Sequence, residues 1–363
     1  MLSSNDEVFL RRAVTIAGNG LFSARPNPRV GCVIAKNGRV IGEGWHVRAG
    51  DAHAEINALA SASDSTVGAD VYVSLEPCSH TGRTPPCVDA LIEAGVARVI
   101  TATTDPNPKV CGEGVSRLRA SGIEVVVAES DFGAIELNSG FFKRMLTGRP
   151  QIRLKIAATL DGRTAAHDGS SRWITGAEAR ADVHRLRARS CAVVTGIGTV
   201  LADDPRLTAR VDGTFAQPMR VIVQGRRRIP EDAQLFNEPG RIVLVQPESD
   251  YSHAALPDDV GVLVLSDEPE SVNLEALIRF LSEQECNEVL LESGPTLSGA
   301  FLAQGLVDEI WVYQSAGLLG DRGRAMFELD GVNTIADQMA LHLKEVTHMG
   351  EDLRLIYTPR GSS

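Results

Sequence analysis

Three potential ligands in the first hundred residues set the strongest constraint on this 363-residue chain: His53 in His53-Ala-Glu55, Cys78 after Pro77, and Cys87 after Pro85-Pro86. One imidazole and two thiols suit zinc, and three protein ligands leave a fourth tetrahedral position open, as a catalytic zinc requires. For the three to meet, the starts of two predicted helices and the end of a strand must converge. His53 opens one predicted helix, Cys87 lies in the first turn of another, and Cys78 directly follows a strand. A helix N-terminus favours thiolate over thiol. Glu55, two residues from His53, can reach the open position without being a ligand. There a carboxylate could take a proton from water and hand it to a leaving amine.

Composition narrows the class. The apolar fraction of 43% allows sizeable cores, and the length suggests about two domains. A net charge of −11 disfavours a nucleic-acid partner, which needs a basic face. A phosphorylated small molecule remains open, since a few arginines hold one phosphate. No apolar run approaches the ~18 residues of a membrane span, and residues 1–25 carry no apolar signal-peptide core. With six cysteines and no disulfide-like spacing, a cytoplasmic location is expected, and paired cysteines there point to metal. Cys32, Cys111, Cys191 and Cys286 read as core or surface thiols.

Periodicity predicts a capping box at Ser4–Glu7 before a helix, then a hairpin turning at Asn37-Gly38. Helix and strand then alternate to a single closing helix over Asp131–Met145. This is a three-layer α/β unit. Thr147-Gly-Arg-Pro150 is the candidate linker, dividing the chain into domains of residues 1–147 and 150–363. The second half restarts with a strand at Ile152–Ala157 and a capping box at Thr175-x-x-Glu178, followed by short apolar strands and helices. Asp250–Ser271 reads as a solvated acidic loop. Glu292-Ser-Gly-Pro-Thr-Leu-Ser-Gly299, after the strand Glu288–Leu291, reads as a turn whose backbone N–H groups could approach a phosphate at a helix start. No G-x-G-x-x-G follows a strand, so a Rossmann site is unsupported.

The zinc-deaminase signature H-x-E…P-C-x-x-C is related to the first-half pattern, but here eight residues separate Cys78 from Cys87. With that longer loop, the chain resembles the bifunctional deaminase–reductases of riboflavin biosynthesis. The resemblance rests on Asn27-Pro-Arg-Val-Gly31, His53-Ala-Glu55, Glu76-Pro-Cys78 through Cys87, and Asp105-Pro-Asn-Pro-Lys-Val110. It continues through Lys155–Gly162, Ser171–Thr175, Gly198–Pro205, Leu207–Arg210 and Glu292–Gly299. Thr159 stands where the family commonly has serine.

The resemblance implies a cytidine-deaminase-like α/β/α domain followed by a dihydrofolate-reductase-like α/β domain. It implies Zn2+ on His53, Cys78 and Cys87, with Glu55 as the proton shuttle. Asn27 and the His80–Thr84 loop would touch the pyrimidine and its ribose phosphate. In the second half it implies NADPH at Ala157, Trp173, Thr199, Asp203 and the run Gly294, Pro295, Thr296, Leu297, Ser298, Gly299 and Ala300. Substrate would meet Lys155, Ser171, Arg187, Leu207, Arg210 and Glu292. Arg187 and Arg210 have the chemistry for a ribose phosphate. Arg226-Arg-Arg228 reads as a solvated charge run. The expected activity is zinc-dependent hydrolytic deamination of a diamino-ribosylamino-pyrimidinone 5′-phosphate, then NADPH-dependent reduction of its ribosyl to a ribityl side chain. A homo-oligomer, dimer or tetramer, is expected, with no nucleic-acid or membrane partner. The rival readings are a base or nucleoside deaminase with an inactive reductase-like module, and a non-enzymatic nucleotide sensor with structural zinc.

Overall fold

The computed structural model describes residues 2–81, 85–108, 110–213, 215–225, 227–247, 256–257, 260–268 and 271–360. The chain divides into two compact units, Met1–Arg149 and Pro150–Ser363.

The first unit runs α1 (Ser4–Ala17), β1 (Gly31–Lys36), β2 (Arg39–Trp45), α2 (Ala54–Ala60), β3 (Asp70–Val73), α3 (Cys87–Glu93), β4 (Arg98–Thr101), α4 (Glu113–Ala120), β5 (Glu124–Val127), α5 (Ala134–Leu137) and α6 (Ser139–Thr147). Its sheet has the order β2-β1-β3-β4-β5. The hairpin β1–β2 and the pair β1–β3 are antiparallel, while β3, β4 and β5 run parallel. Side chains alternate across the sheet with the period of two that a strand dictates. Cys32, Ile34, Val71 and Val73 meet α2, α3 and α4 through Ala54, Ala58, Leu91 and Leu118. Val33, Ala35, Tyr72 and Ile100 meet α1 through Leu10 and Ala13. The result is the expected three-layer unit.

Close approach of α2 to β2 depends on missing side chains. A Cβ at Gly44 would lie 2.4 Å from the Ala58 nitrogen, and one at Gly42 would lie 2.5 Å from the Ala58 oxygen. The two glycines therefore seat the helix whose first residues carry the His-Ala-Glu run.

Local details differ from the sequence reading. The capping box of α1 is built by Ser3 and Asp6, one residue earlier than predicted. The predicted closing helix is two, broken at Asn138. The Asn138 side chain accepts from the Arg29 N–H at 2.7 Å and donates to the Arg29 carbonyl at 2.9 Å. The Asn138 backbone, at φ −114° and ψ 21°, leaves the helical region where its side chain is held by this tertiary partner.

The second unit comprises β6 (Gln151–Thr159), β7 (Arg163–Ala165), α7 (Ala177–Arg189), β8 (Ala192–Gly196), α8 (Ile197–Asp203), β9 (Met219–Val223), β10 (Ile242–Gln246), β11 (Val260–Val264), β12 (Ser266–Glu268), β13 (Ser271–Val272), α9 (Leu274–Glu283), β14 (Glu288–Leu291), α10 (Pro295–Ala303), β15 (Glu309–Ser315), β16 (Arg324–Ala325), β17 (Leu341–Met349) and β18 (Asp352–Pro359). Nine strands form one sheet in the order β11-β10-β9-β8-β14-β6-β15-β18-β17. Strands from β11 to β15 are parallel, and β18 and β17 close the edge antiparallel. Helices α9 and α10 cover one face through Leu277, Leu281 and Phe301, and α7 covers the other through Val183 and Leu186.

Helix α7 begins after Gly176, not with a Thr175 box. The Gly176 N–H donates to the Asp352 carboxylate at 2.6 Å, so β18 supplies the anchor from a distance. The Gly294–Gly299 stretch is not an open turn: α10 already starts at Pro295. Much of Asp250–Ser271 lies outside the described residues, and its described part holds β11 and β12. At the amino ends of β6, β14 and β15, buried Arg153 bridges Glu288 at 2.6 Å and Glu309 at 2.8 Å. This network binds the central strands together at their amino ends.

Candidate active site

In the first unit, His53, Cys78 and Cys87 do converge, with ligand atoms all within 4.8 Å of one another. His53 is the N-cap of α2 and Cys87 the first residue of α3, so two short helices aim their amino ends at one point. His53 Nδ1 lies 3.2 Å from Cys87 Sγ and 3.5 Å from Cys78 Sγ. The backbone N–H of Cys87 points at Cys78 Sγ across 3.3 Å. The Cys87 thiol bonded to Cys78, more than the opposing effect of burial, pulls the Cys78 thiol down to about 4, with His53 adding to it. An imidazole beside a ready thiolate is a donor set that fits zinc. His80, exposed in the following loop, is not part of the cluster. Gly82, Arg83 and Thr84 of that loop lie outside the described residues.

Glu55 is 3% exposed. Burial first, then the charge of Cys78, pushes its carboxyl up to about 7, against the pull of His53. A carboxyl poised near neutrality is suited to taking and returning a proton. Two supporting residues, Glu76 and His46, have no role assigned in the sequence reading. Glu76, buried at the end of the β3 segment, accepts from the backbone N–H groups of Asp105, Gly112 and Val115 at 3.0–3.1 Å. It thereby ties the Cys78 loop to the Asp105–Val110 loop. His46 accepts the second role: its Nδ1 faces the Ala52 carbonyl at 3.1 Å, which leaves Nε2 to accept from the Asn27 amide at 3.0 Å. The Asn27 carbonyl oxygen is thus the free end of that side chain's amide in this pairing. The His46 ring also stands edge-on to His53, with centroids 5.2 Å apart.

In the second unit, the expected residues gather at the carboxyl ends of the parallel strands, where open α/β sheets bind ligands. Lys155 lies on β6, Arg187 on α7, Asp203 at the end of α8, and Glu292 just after β14. Arg187 grips Glu292 with two bonds of 2.6 and 2.9 Å and reaches the Thr208 carbonyl at 3.2 Å. Burial alone would raise the Glu292 carboxyl, but Arg187 and then Lys155 hold it at about 2. Burial lowers the Lys155 ammonium, opposed by Glu292. Ser171 donates to Asp203 at 2.8 Å. Arg210 meets His184 of α7 at 2.8 Å. Leu207, buried, holds a left-handed φ of 58° between these groups.

A cavity of about 520 Å³ lies alongside, within the range of small-molecule and cofactor sites. Thr199, Gly294, Pro295, Thr296, Leu297 and Ala300 line it. Ser298 and Gly299 are buried instead, and a Cβ at Gly299 would lie 1.8 Å from the Glu328 oxygen. Ala157, Trp173 and Asp203 are not among its lining residues. Trp173 is 69% exposed, with the Arg180 guanidinium 4.5 Å from its ring centroid. Sequence reasoning set the arginine run at 226–228 aside as solvated, yet Arg227 lines the cavity with Gln224, Arg324 and Glu328. Only the fold brings those four together. Arg226 lies outside the described residues.

Comparison with known proteins agrees with this geometry. Residues 3–103 match the family model of the cytidine and deoxycytidylate deaminase zinc-binding region, and residues 150–355 match that of the RibD C-terminal domain. The riboflavin biosynthesis protein RibD of Escherichia coli strain K12 is 44% identical over 362 residues, covering 96% of this chain and 98% of that protein. The same protein of Haemophilus influenzae is 42% identical over 371 residues, covering 99% of each. Among solved structures, Acinetobacter baumannii RibD superposes with a TM-score of 0.90 at 44% identity, covering 98% of this chain and 99% of that one. A diaminohydroxyphosphoribosylaminopyrimidine deaminase/5-amino-6-(5-phosphoribosylamino)uracil reductase from Thermotoga maritima does so at 0.88 and 33% identity, covering 98% and 99%. No helix among the described residues is long and apolar enough to cross a membrane. Because the likeness runs through both halves, neither a base or nucleoside deaminase with an inactive reductase-like module nor a non-enzymatic zinc sensor is favoured. The chain belongs to the RibD family, the bifunctional zinc-dependent deaminases and reductases of riboflavin biosynthesis.

Proposed function

We propose a division of labour in which residues 1–147 deaminate a diaminopyrimidine ribosyl phosphate and residues 150–363 reduce the deaminated product. The observation that carries the first half is the convergence of His53, Cys78 and Cys87 beside a buried carboxyl at Glu55. His53, Cys78 and Cys87 would hold the zinc. When bound, zinc supplies the Lewis acidity that makes water nucleophilic near neutral pH. Glu55 accepts a proton from the attacking water and returns it to the amine, so that one water enters and one ammonia leaves. Asn27, held by His46, is a hydrogen-bonding group for the pyrimidine, and His80 sits in the loop toward the ribose phosphate.

In the second half the donor set and the cavity fit a dinucleotide, with the first turn of α10 offering N–H groups to a phosphate. NADPH supplies the hydride for C1 of the opened ribose. The residues of the chain position and protonate: Arg187 is fixed by Glu292, and Lys155 and Asp203 are the polar groups nearest to handling the proton. Arg210 and Ser171 face the substrate side of the same cluster, with Leu207 shaping the bend. Thr199, Gly294, Pro295, Thr296, Leu297 and Ala300 form the cofactor cradle, with Ser298 and Gly299 packed behind it and Ala157 and Trp173 at its approach. A cytoplasmic homo-oligomer acting on this small phosphorylated pyrimidine completes the reading.

The test is a coupled assay on the diaminopyrimidine ribosyl 5′-phosphate. Ammonia release should precede NADPH consumption, and the two should reach equal molar extents. NADPH consumption without ammonia release, or ammonia release with no later oxidation of NADPH, would remove one half of the proposal.

A further inference from the structure

The contact between His184 and Arg210 is unusual because a guanidinium carries only donors. At 2.8 Å from Arg210 Nη2, His184 Nε2 must therefore be an acceptor, so the imidazole is neutral. Its proton then sits on Nδ1, a buried ring nitrogen with no hydrogen-bond partner among the described residues. Burial and the neighbouring charges of Arg187 and Arg210 lower this histidine to about 4, in agreement with the geometry.

The two arginines of the cluster are consequently in different states. Arg187 is neutralised by the two-bond grip of Glu292. Arg210 is exposed and, among the described residues, has no carboxylate within salt-bridge distance. A neutral acceptor fixes the direction of a guanidinium without cancelling its charge, which an aspartate or glutamate at the same place would do. Helix α7 carries both His184 and Arg187 one turn apart, so the same helix that anchors the Arg187–Glu292 pair also aims Arg210.

We infer that His184 is a positioning residue for substrate: it orients Arg210 so that its full charge meets the ribose phosphate. The inference rests on the reductase reading of the second unit. It assigns phosphate selectivity in that unit to a relay of helix, neutral imidazole and guanidinium.

The test uses the full chain and 5-amino-6-(5-phosphoribosylamino)uracil, with the dephosphorylated compound beside it. His184→Ala should raise KM for the phosphorylated compound on the order of tenfold and leave kcat nearly as it was. His184→Gln, which keeps an acceptor, should recover much of the loss. Turnover of the dephosphorylated compound should be the same for all three chains. Equal losses on both compounds, no change in KM, or no recovery by glutamine would overturn the role. A 15N spectrum of the histidine rings in the unmutated chain is independent of any folding defect in a variant. It should show His184 neutral and protonated on Nδ1 at neutral pH, and an imidazolium there would overturn the inference. Should the unmutated chain fail to oxidise NADPH with the phosphorylated compound, the reductase reading falls, while the ring spectrum still decides the state of His184.

Discussion

At the scale of single residues, this chain obtains different chemistry from similar groups through burial and neighbours. Glu55 and Glu292 are both carboxylates in enclosed sites. Beside a thiolate and with little solvent, Glu55 is pushed up to about 7, whereas Glu292, gripped by Arg187, is held at about 2. The first can exchange a proton near neutrality, and the second is a fixed charge. Replacing Glu55 with Gln should leave zinc bound, since the three ligands remain, and should lower ammonia release on the order of 10²–10⁴-fold. Metal analysis and an ammonia assay on the same sample check this; release at the unmutated rate would refute the proton-shuttle role. The sequence showed His53, Glu55, Cys78 and Cys87 as a group because ligand chemistry restricts residue type and spacing. It did not show that Arg187 is already committed to Glu292, or that Arg227 lines a cavity. An arginine in a sequence carries no record of which partner reaches it.

At the scale of elements, periodicity carried far where one face is buried. Cys32, Val33, Ile34 and Ala35 form a short apolar run that is legible as a strand before the Asn37-Gly38 turn, and in the fold they alternate between two cores. It failed where burial does not impose a pattern. Strand β17 is largely exposed along its length, the apolar alternation of Leu341 and Leu343 stops at a register shift before Glu345, and the strand is defined by pairing with β18. The break at Asn138 depends on Arg29, more than a hundred residues away in sequence. The glycines of β2 show how an element positions chemistry without taking part in it. Gly44→Ala would place a Cβ 2.4 Å from the Ala58 nitrogen, forcing α2 outward. Overpacking of this kind costs about 1–3 kcal/mol. Since His53 and Glu55 sit at the start of α2, the variant should bind zinc more weakly and release ammonia more slowly. NADPH oxidation with the deaminated compound should persist. Zinc retention in a chelator competition is the measurement, and unchanged retention would show that α2 can shift without moving the ligands.

At the scale of the whole molecule, each compact unit has its own sheet, and the second is held at its centre by buried charges. Burial acts to raise the Glu309 carboxyl, but Arg153, the Trp311 indole and Lys344 keep it at about 2. Its folded value lies below the ordinary 4.5, so its contribution is complete above that pH and is lost as pH falls from there toward about 2. The contribution is on the order of 3 kcal/mol. Glu309→Gln should therefore destabilise the second unit at neutral pH, and the gap from the unmutated chain should narrow between pH 5 and pH 3, read by urea unfolding at each pH. A gap independent of pH would mean that Glu309 contributes by packing and not by charge.

From the sequence alone come the grouping of His53, Cys78 and Cys87 with Glu55 as a candidate zinc site, the α/β alternation and, by resemblance, one family for both halves. These follow from residue type and short spacing, which the linear chain preserves. The tertiary structure alone decided which charges are paired, which arginine keeps its charge available, where the cofactor-sized cavity lies, and which helix is interrupted. Those outcomes depend on desolvation and on partners brought together across long stretches of chain. Both arise only when the sheets close and their faces are covered.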